Sequence, residues 1–411
     1  MDNDDTTILH SSTDADFLAT LPTLVGRAVS DSILVVPFAG KRTSGALRID
    51  LPEMNAGDEV GDRLASVALG AMSRIDWCDT VLFAVYSDET FPVAFAGHDA
   101  LVNALAERFH DAGFAVRDAF CVAADGWASW FDDEPPFAGR PLEEIDDSPL
   151  AAQAAQVRGG TDLAHYDAGS RLPDRDPATA ALLTRAVDDL LYDGVERNAF
   201  GMPRAAQLPD SVDFVEKLLR READDTPLPR LAELTALSLH RAHRDEMMLQ
   251  MAFGKKVGRR ARAENERLGA ARSASGASMD EVVRAEYEAG PTRGLAELGD
   301  LILGECDTPP RPARIRRGMA ILGRTIAHLP AELRPDLLCM LAWLHWALGA
   351  SAVADAHISM ALSIAPGHGM ASILHTLVST GKIPQWIFAR YNAAGSALHD
   401  QRTAASETAS V

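Results

Sequence analysis

Apolar and polar residues alternate differently in the two halves of the chain. Over 14–25 the run Asp14-Ala15-Asp16-Phe17-Leu18-Ala19-Thr20-Leu21-Pro22 predicts a short helix with Asp14 as its N-cap. Ser32-Ile33-Leu34-Val35-Val36-Pro37-Phe38 and Ala46-Leu47-Arg48-Ile49-Asp50-Leu51 are β-rich runs. The Gly-bearing stretch 40–45 joins them, so a hairpin is expected. Val60, Leu64, Val67, Ala68 and Ala71 then recur at helical spacing. The nearly unbroken apolar run 80–86 reads as a strand covered on both faces. A helix over 99–112, stopped by Gly113, and a strand over 114–122 follow. The order β-β-α-β-α-β implies a mixed sheet with helices packed on it, because a parallel pair needs a crossover between its strands.

After a short aromatic segment at 127–131, residues 132–149 are rich in Pro, Gly and Asp and read as a long loop. From about 177 onward only helical periodicity remains, over 177–193, 209–222, 227–253, 280–289, 291–304, 312–328, 335–349, 351–364 and 368–380. The fold class expected is therefore α/β plus all-α. An α/β domain spans 1–150 and a helical domain 151–397. The stretch 254–279, rich in Lys, Arg, Ala, Ser and Gly, is expected to be a mobile insertion, and 398–411 a disordered tail.

One local repeat signal stands out. Counted back from Pro366, the small residues Ala361, Ala354, Gly349 and Ala342 and the apolar Ile358 fall at the offsets of a tetratricopeptide hairpin. Leu338 matches the bulky position loosely. A single hairpin cannot bury both faces, so it reads as part of a helical core ahead of a peptide-binding groove.

Composition changes this picture little: 47% hydrophobic and 24% charged residues suffice for a sizeable core. The net charge of -20 repels phosphate backbones, so no nucleic-acid partner is expected. The longest apolar stretch, 337–350, is interrupted by His345 and too short to span a bilayer. The first residues carry neither a basic region nor an apolar one, which predicts no secretory signal. Four cysteines without a CxxC pair fit a reducing cytoplasm and argue against disulfides or a cysteine zinc site. A cytoplasmic protein without a membrane partner or cofactor is the expectation.

Candidate chemistry is sparse. Arg48 and Asp50 are two apart, so in a strand they leave on one face, where they pair with each other or line a site with Asp31 and Ser32. Asp31 can also cap a turn. Asp88 and Glu89 follow the third strand, where ligands of open α/β sheets lie. His240, His243 and Asp245 offer imidazole and carboxylate groups to a zinc or iron ion, though no HExxH is present. Lys255, Lys256, Arg259, Arg260 and Arg262 form the only basic run and read as a solvated loop, without the aromatic residues that stack on bases. GxxxxGK[ST], a post-strand GxGxxG and GxSxG are all absent from the sequence.

Several segments together resemble an uncharacterised actinobacterial family, the domain of unknown function 4192. They are the run 17–26, Asp31–Val36, Arg48-Ile49-Asp50-Leu51-Pro52, Asp125-Gly126-Trp127, Gly139-Arg140-Pro141-Leu142 and Arg244-Asp245. Leu341-Ala342-Trp343-Leu344 to Leu348-Gly349 and Arg390 after Pro384-Gln385-Trp386 complete the set. Where the family carries a Cys-Cys-Pro-like segment, this chain reads Phe131-Asp132-Asp133-Glu134-Pro135-Pro136, so chemistry by those cysteines is not open to it. The resemblance implies an architecture and no activity. The first expectation for function is a non-enzymatic binding or regulatory protein. Its α/β part would hold a small anionic ligand through Arg48, and its C-terminal helical part would dock a protein. The alternative is a metal-assisted hydrolase using Asp50 and Asp88, or His240 and His243 with Asp245. A structural subunit of a larger assembly is a third possibility.

Overall fold

The computed structural model describes residues 9–25, 29–43, 45–54, 58–157, 171–192, 208–389 and 392–393. The chain divides into two units, Met1–Gly169 with Phe388–Val411, and Ser170–Ile387. The mixed sheet belongs to the first. Its strands are β1 (Ser32–Phe38), β2 (Leu47–Asp50), β3 (Thr80–Tyr86), β4 (Ala115–Val122) and β5 (Trp127–Ser129), in the order β2-β1-β3-β4-β5. β3 and β4 run parallel and the other neighbours antiparallel. The hairpin read from the sequence is present, with Ser32 opposite Asp50.

Register fixes which side chains share a face. Asp50, Ser32, Tyr86, Val122 and Trp127 are successive partners across the sheet, so they form one row at the end where β3 and β4 have their carboxyl termini. That face is covered by α1 (Asp14–Val25), whose Leu18 and Leu21 pack with Leu34, Val36, Leu82 and Ala84. On the opposite face the long helix α3 (Phe91–Asp111) sets Phe109 edge-on to Phe83, with 5.3 Å between ring centroids. A shorter helix, α2 (Asp58–Met72), packs beside α3.

Three local expectations need correction. The cap of α1 is Thr13, not Asp14: the Thr13 hydroxyl accepts the Asp16 N–H at 3.1 Å, and the Asp16 carboxylate accepts the Thr13 N–H at 3.2 Å. α3 starts at Phe91, eight residues before the expected 99, because its first N–H is capped by Asp125 from the turn after β4 (2.7 Å). A cap 34 residues away leaves no local signal. The aromatic segment at 127–131 supplies the edge strand β5. The helices α4 (Glu143–Asp146) and α5 (Pro149–Val157) also belong to the first unit, since the Ser148 hydroxyl donates to Asp16 at 2.7 Å. The unit thus extends past residue 150, and the chain returns to it from Phe388 onward. There the Asn392 amide donates to Arg74 O (3.1 Å) and its Oδ1 accepts from Asp76 N–H (3.0 Å).

The second unit is helical: α6 (Pro177–Tyr192), α7 (Ser211–Leu218), α8 (Leu228–Ser238), α9 (Arg241–Phe253), α10 (Lys255–Ser275), α11 (Met279–Ala289), α12 (Arg293–Leu303), α13 (Pro312–His328), α14 (Pro335–Ala347), α15 (Ser351–Ile364) and α16 (Gly369–Ser379). The expected mobile insertion at 254–279 is instead the helix α10, bounded by Gly254 and a left-handed Gly276. Its Arg, Glu and Ala residues are good helix formers. Ion pairs of Lys255 with Asp213 (2.6 Å) and Arg267 with Glu286 (2.9 Å), and that of Arg260 with Glu297, supply partners that a solvated loop would lack. α14 and α15 pack against each other on either side of Gly349 (φ 87°), and Ala342, Ala354, Ile358 and Ala361 are fully buried. α16 packs on both. Trp343, Trp346 and Trp386 close the core, with the Trp386 ring 5.6 Å from Phe253. The tail at 398–411 lies outside the described residues.

Candidate functional site

At the carboxyl ends of β3 and β4, between the sheet and helices α1, α4 and α5, lies a half-open cleft of about 460 Å³. This is where ligands of open α/β sheets bind. Its walls are largely apolar, with Pro22, Val122, Leu142 and Ile145 among them, and its polar groups are Ser30, Tyr86, Ser87, Asp88 and Asp146. Burial pushes the Tyr86 phenol up, so it stays protonated. Pro22 also borders the cleft and, having no N–H, leaves the Leu18 carbonyl without its helical donor.

Of the residues picked from the sequence, Asp88 alone lines the cleft, and Asp31, Ser32, Arg48 and Asp50 lie at the same end of the sheet outside the lining. Asp31 is the one non-glycine residue with positive φ (36°) among the described residues. Its Oδ1 accepts the Asp88 N–H at 3.1 Å and its carbonyl accepts the Leu51 N–H at 2.9 Å, so it clasps the ends of three strands. A short polar side chain tolerates this left-handed geometry better than most. Ser32 and Arg48 meet at the Ser30 carbonyl, which accepts the Ser32 hydroxyl at 2.5 Å and an Arg48 guanidinium N–H at 3.2 Å. Arg48 also pairs with Asp50 at 3.2 Å, and its Nε is buried without a partner. Asp31, Ser32, Arg48, Asp50 and Asp88 therefore do converge at one end of the sheet.

The amides that follow β3 and β4 are engaged. The Ser87 N–H bonds Val122 O (3.0 Å), Glu89 N–H bonds the Ser87 hydroxyl (3.3 Å), Ala123 N–H bonds Gly126 O (2.8 Å) and Ala124 N–H bonds Glu89 O (2.9 Å). With Asp88 N–H taken by Asp31, these amides form no cradle for a phosphate or carboxylate.

The His240, His243 and Asp245 set does not assemble. His240 is the extended residue before α9, and His243 and Asp245, two apart on the helix, point to different sides. The His243 Nδ1 lies 3.4 Å from the Ser211 hydroxyl and 4.0 Å from the buried Glu246, beside Arg262. Asp245 accepts from Arg244 at 2.8 Å. Among the described residues no group of three or more His, Cys, Asp or Glu is placed to hold a metal ion.

Sequence reading also missed a network in the helical unit that is buried at Arg244 and Cys339 and partly exposed at Asp245, Asp336 and His368. Arg244 bridges Asp245 to Asp336 (2.7 Å), and Asp336 lies 3.3 Å from Nε2 of His368. Nδ1 of His368 accepts the Ala371 N–H (3.2 Å) and sits 3.6 Å from Sγ of Cys339. Burial pushes the Asp245 carboxyl up, whereas for Asp336 the hydrogen bonds of His368 and Arg244 outweigh burial and hold it low. The arrangement has the composition of a Cys-His-Asp nucleophile, but burial pushes the Cys339 thiol up to about 12 and Cys339 itself has no exposed surface. It is a folding element. Its members come from α9, α14 and the cap of α16, so only Arg244-Asp245 was visible as a motif.

The segments that carry the family resemblance also have structural partners. Asp125 caps α3, and a Cβ on Gly126 would lie 2.5 Å from Ala138 O. Trp127 is buried and donates to Pro141 O (3.2 Å), while Arg140 lies over its ring. Trp343, Trp346 and Trp386 donate to the carbonyls of Ile302, Lys382 and Ala347 at 2.9, 2.8 and 2.9 Å. Arg390 lies outside the described residues.

A family model described as Domain of unknown function (DUF4192) matches residues 15–292 and 294–385, and the chain belongs to that family. The searches of curated proteins and of solved structures gave no significant match. Among the described residues no helix is long and apolar enough to cross a membrane.

Proposed function

We propose that the α/β unit is a ligand-binding module whose cleft takes a small molecule with an apolar body and a protonated amine or comparable hydrogen-bond donor. The observation that carries this reading is the engaged amides after β3 and β4, beside two carboxylates, Asp88 and Asp146, that form no ion pair among the described residues. The anion expected at Arg48 finds its guanidinium already held by Asp50 and Ser30 O, and finds no cation among the cleft-lining residues. An amine is favoured by the same groups that repel an anion. The helical unit is then a scaffold, and docking of a protein partner on it is a subsidiary proposal. It rests on Ile373 of α16, exposed despite its size.

A thermal-shift screen tests the reading with matched sets of small amines, alcohols and carboxylates against the full chain and Asp88→Asn. Amines should raise the melting temperature of the wild type and do so less in the variant. A response to carboxylates alone, or to no class, would sink it.

A further inference from the structure

The segment between β5 and α4 carries a feature that the cleft does not use. Phe137 is 88% exposed, the most of any large apolar side chain among the described residues. It stands in a tight turn closed by the Gly139 N–H on Pro136 O at 2.8 Å, directly after Pro135 and Pro136. The turn is anchored from below. Trp127 and Arg140 exchange backbone hydrogen bonds of 3.0 and 2.7 Å, and Arg140 pairs with Asp132 at 2.9 Å while lying over the Trp127 ring. Gly139, at φ 75°, sits so close to Phe91 that a Cβ there would be 2.8 Å from the ring. An aromatic side chain left in water on a backbone this constrained gains nothing for folding. It loses little further freedom on being covered.

The surroundings state what would cover it. Between 132 and 147 the chain carries seven carboxylates and one arginine; Asp132 is paired with that arginine and Asp146 belongs to the cleft, which leaves five for a partner. Asp133 and Glu134, next to the turn, are exposed. We propose that the 131–147 strap is a docking surface for another protein that offers an apolar pocket for Phe137, rimmed by lysine and arginine. The ring anchors the complex and the carboxylates set its on-rate and salt dependence. A second copy of this acidic chain is a poor occupant, since like potentials would face each other.

The test places the photo-reactive p-benzoylphenylalanine at position 137 of the full chain in its native cell, with Leu182 as an exposed control position. The expected result is one heterologous protein crosslinked from 137 and not from 182. Purified, that protein should bind the wild type more weakly as salt rises. Phe137→Ala should lose about thirtyfold in affinity, and Asp133→Lys with Glu134→Lys should mainly slow association. Phe137→Ala should keep the wild-type melting temperature and amine response, which separates this proposal from the cleft. Crosslinking to a second copy of this chain, no product above the Leu182 control, or equal binding by Phe137→Ala would each overturn it.

Discussion

Arg244 in the helical unit and Asp88 in the α/β unit are both charged residues close to apolar surface, yet their surroundings differ completely. Arg244 is buried and meets Asp245 and Asp336, the latter also bonded by His368. Asp88 is exposed, forms no ion pair among the described residues, and only its backbone N–H is taken, by Asp31. The charges of the helical network thus hold one another, whereas Asp88 at the sheet end is left to solvent and ligand. The comparison teaches that a candidate site is found by asking which charges lack partners, not which charges cluster.

The largest effect should come from opening the closed network. Arg244→Met leaves Asp245 and Asp336 without their cation, and should cost about 3–5 kcal/mol in urea unfolding of the helical unit. A loss under about 1 kcal/mol would mean that these carboxylates are solvated and the contrast between units is false. Next is the latch of the strap. Gly139→Ala combines positive φ with a contact on Phe91 and should cost about 2–3 kcal/mol. Gly276→Ala, at φ 69° with nothing within 4 Å, should lose only the conformational part, about 1 kcal/mol. Equal losses would remove the packing argument for Gly139.

Asp16 gives a smaller effect with a pH signature. The Ser148 and Ser12 hydroxyls hold its carboxyl down to about 2, against an ordinary 3.8. The folded state therefore takes up that proton later than the unfolded one. Its stabilising contribution is complete above about pH 4 and fades as pH falls through about 2. Asp16→Asn should cost about 1 kcal/mol at pH 7, with the gap to wild type closing toward pH 2. A gap independent of pH would contradict this. The smallest stability effect belongs to Asp88→Asn, within about 0.5 kcal/mol of wild type, because no partner is lost.

Much of the fold was legible in the sequence, because periodicity reports faces: Leu34, Val36, Leu82 and Ala84 alternate onto the α1 side as a strand pattern requires. What stayed hidden depends on contacts between distant residues. Asp125 starts α3 and Asp16 meets Ser148, and neither leaves a mark nearby. Charged composition made 254–279 look mobile, although its partners Asp213, Glu286 and Glu297 lie in other elements. The same limit applied to the site. Asp31, Ser32, Arg48, Asp50 and Asp88 could be nominated from strand ends. That the ends of the Arg48 guanidinium are held by Asp50 and Ser30 while Asp88 is unpaired among the described residues, and that Asp146 joins it, follows only from register and from the placement of α4.

The account turns on the two cleft carboxylates that form no ion pair among the described residues, Asp88 and Asp146. Isothermal titration of hexylamine and hexanoate into the wild type and into Asp88→Asn with Asp146→Asn tests it most directly. Hexylamine should bind the wild type, hexanoate should not, and the double variant should bind the amine at least about tenfold more weakly. Tighter binding of hexanoate, or undiminished amine binding by the double variant, would contradict it.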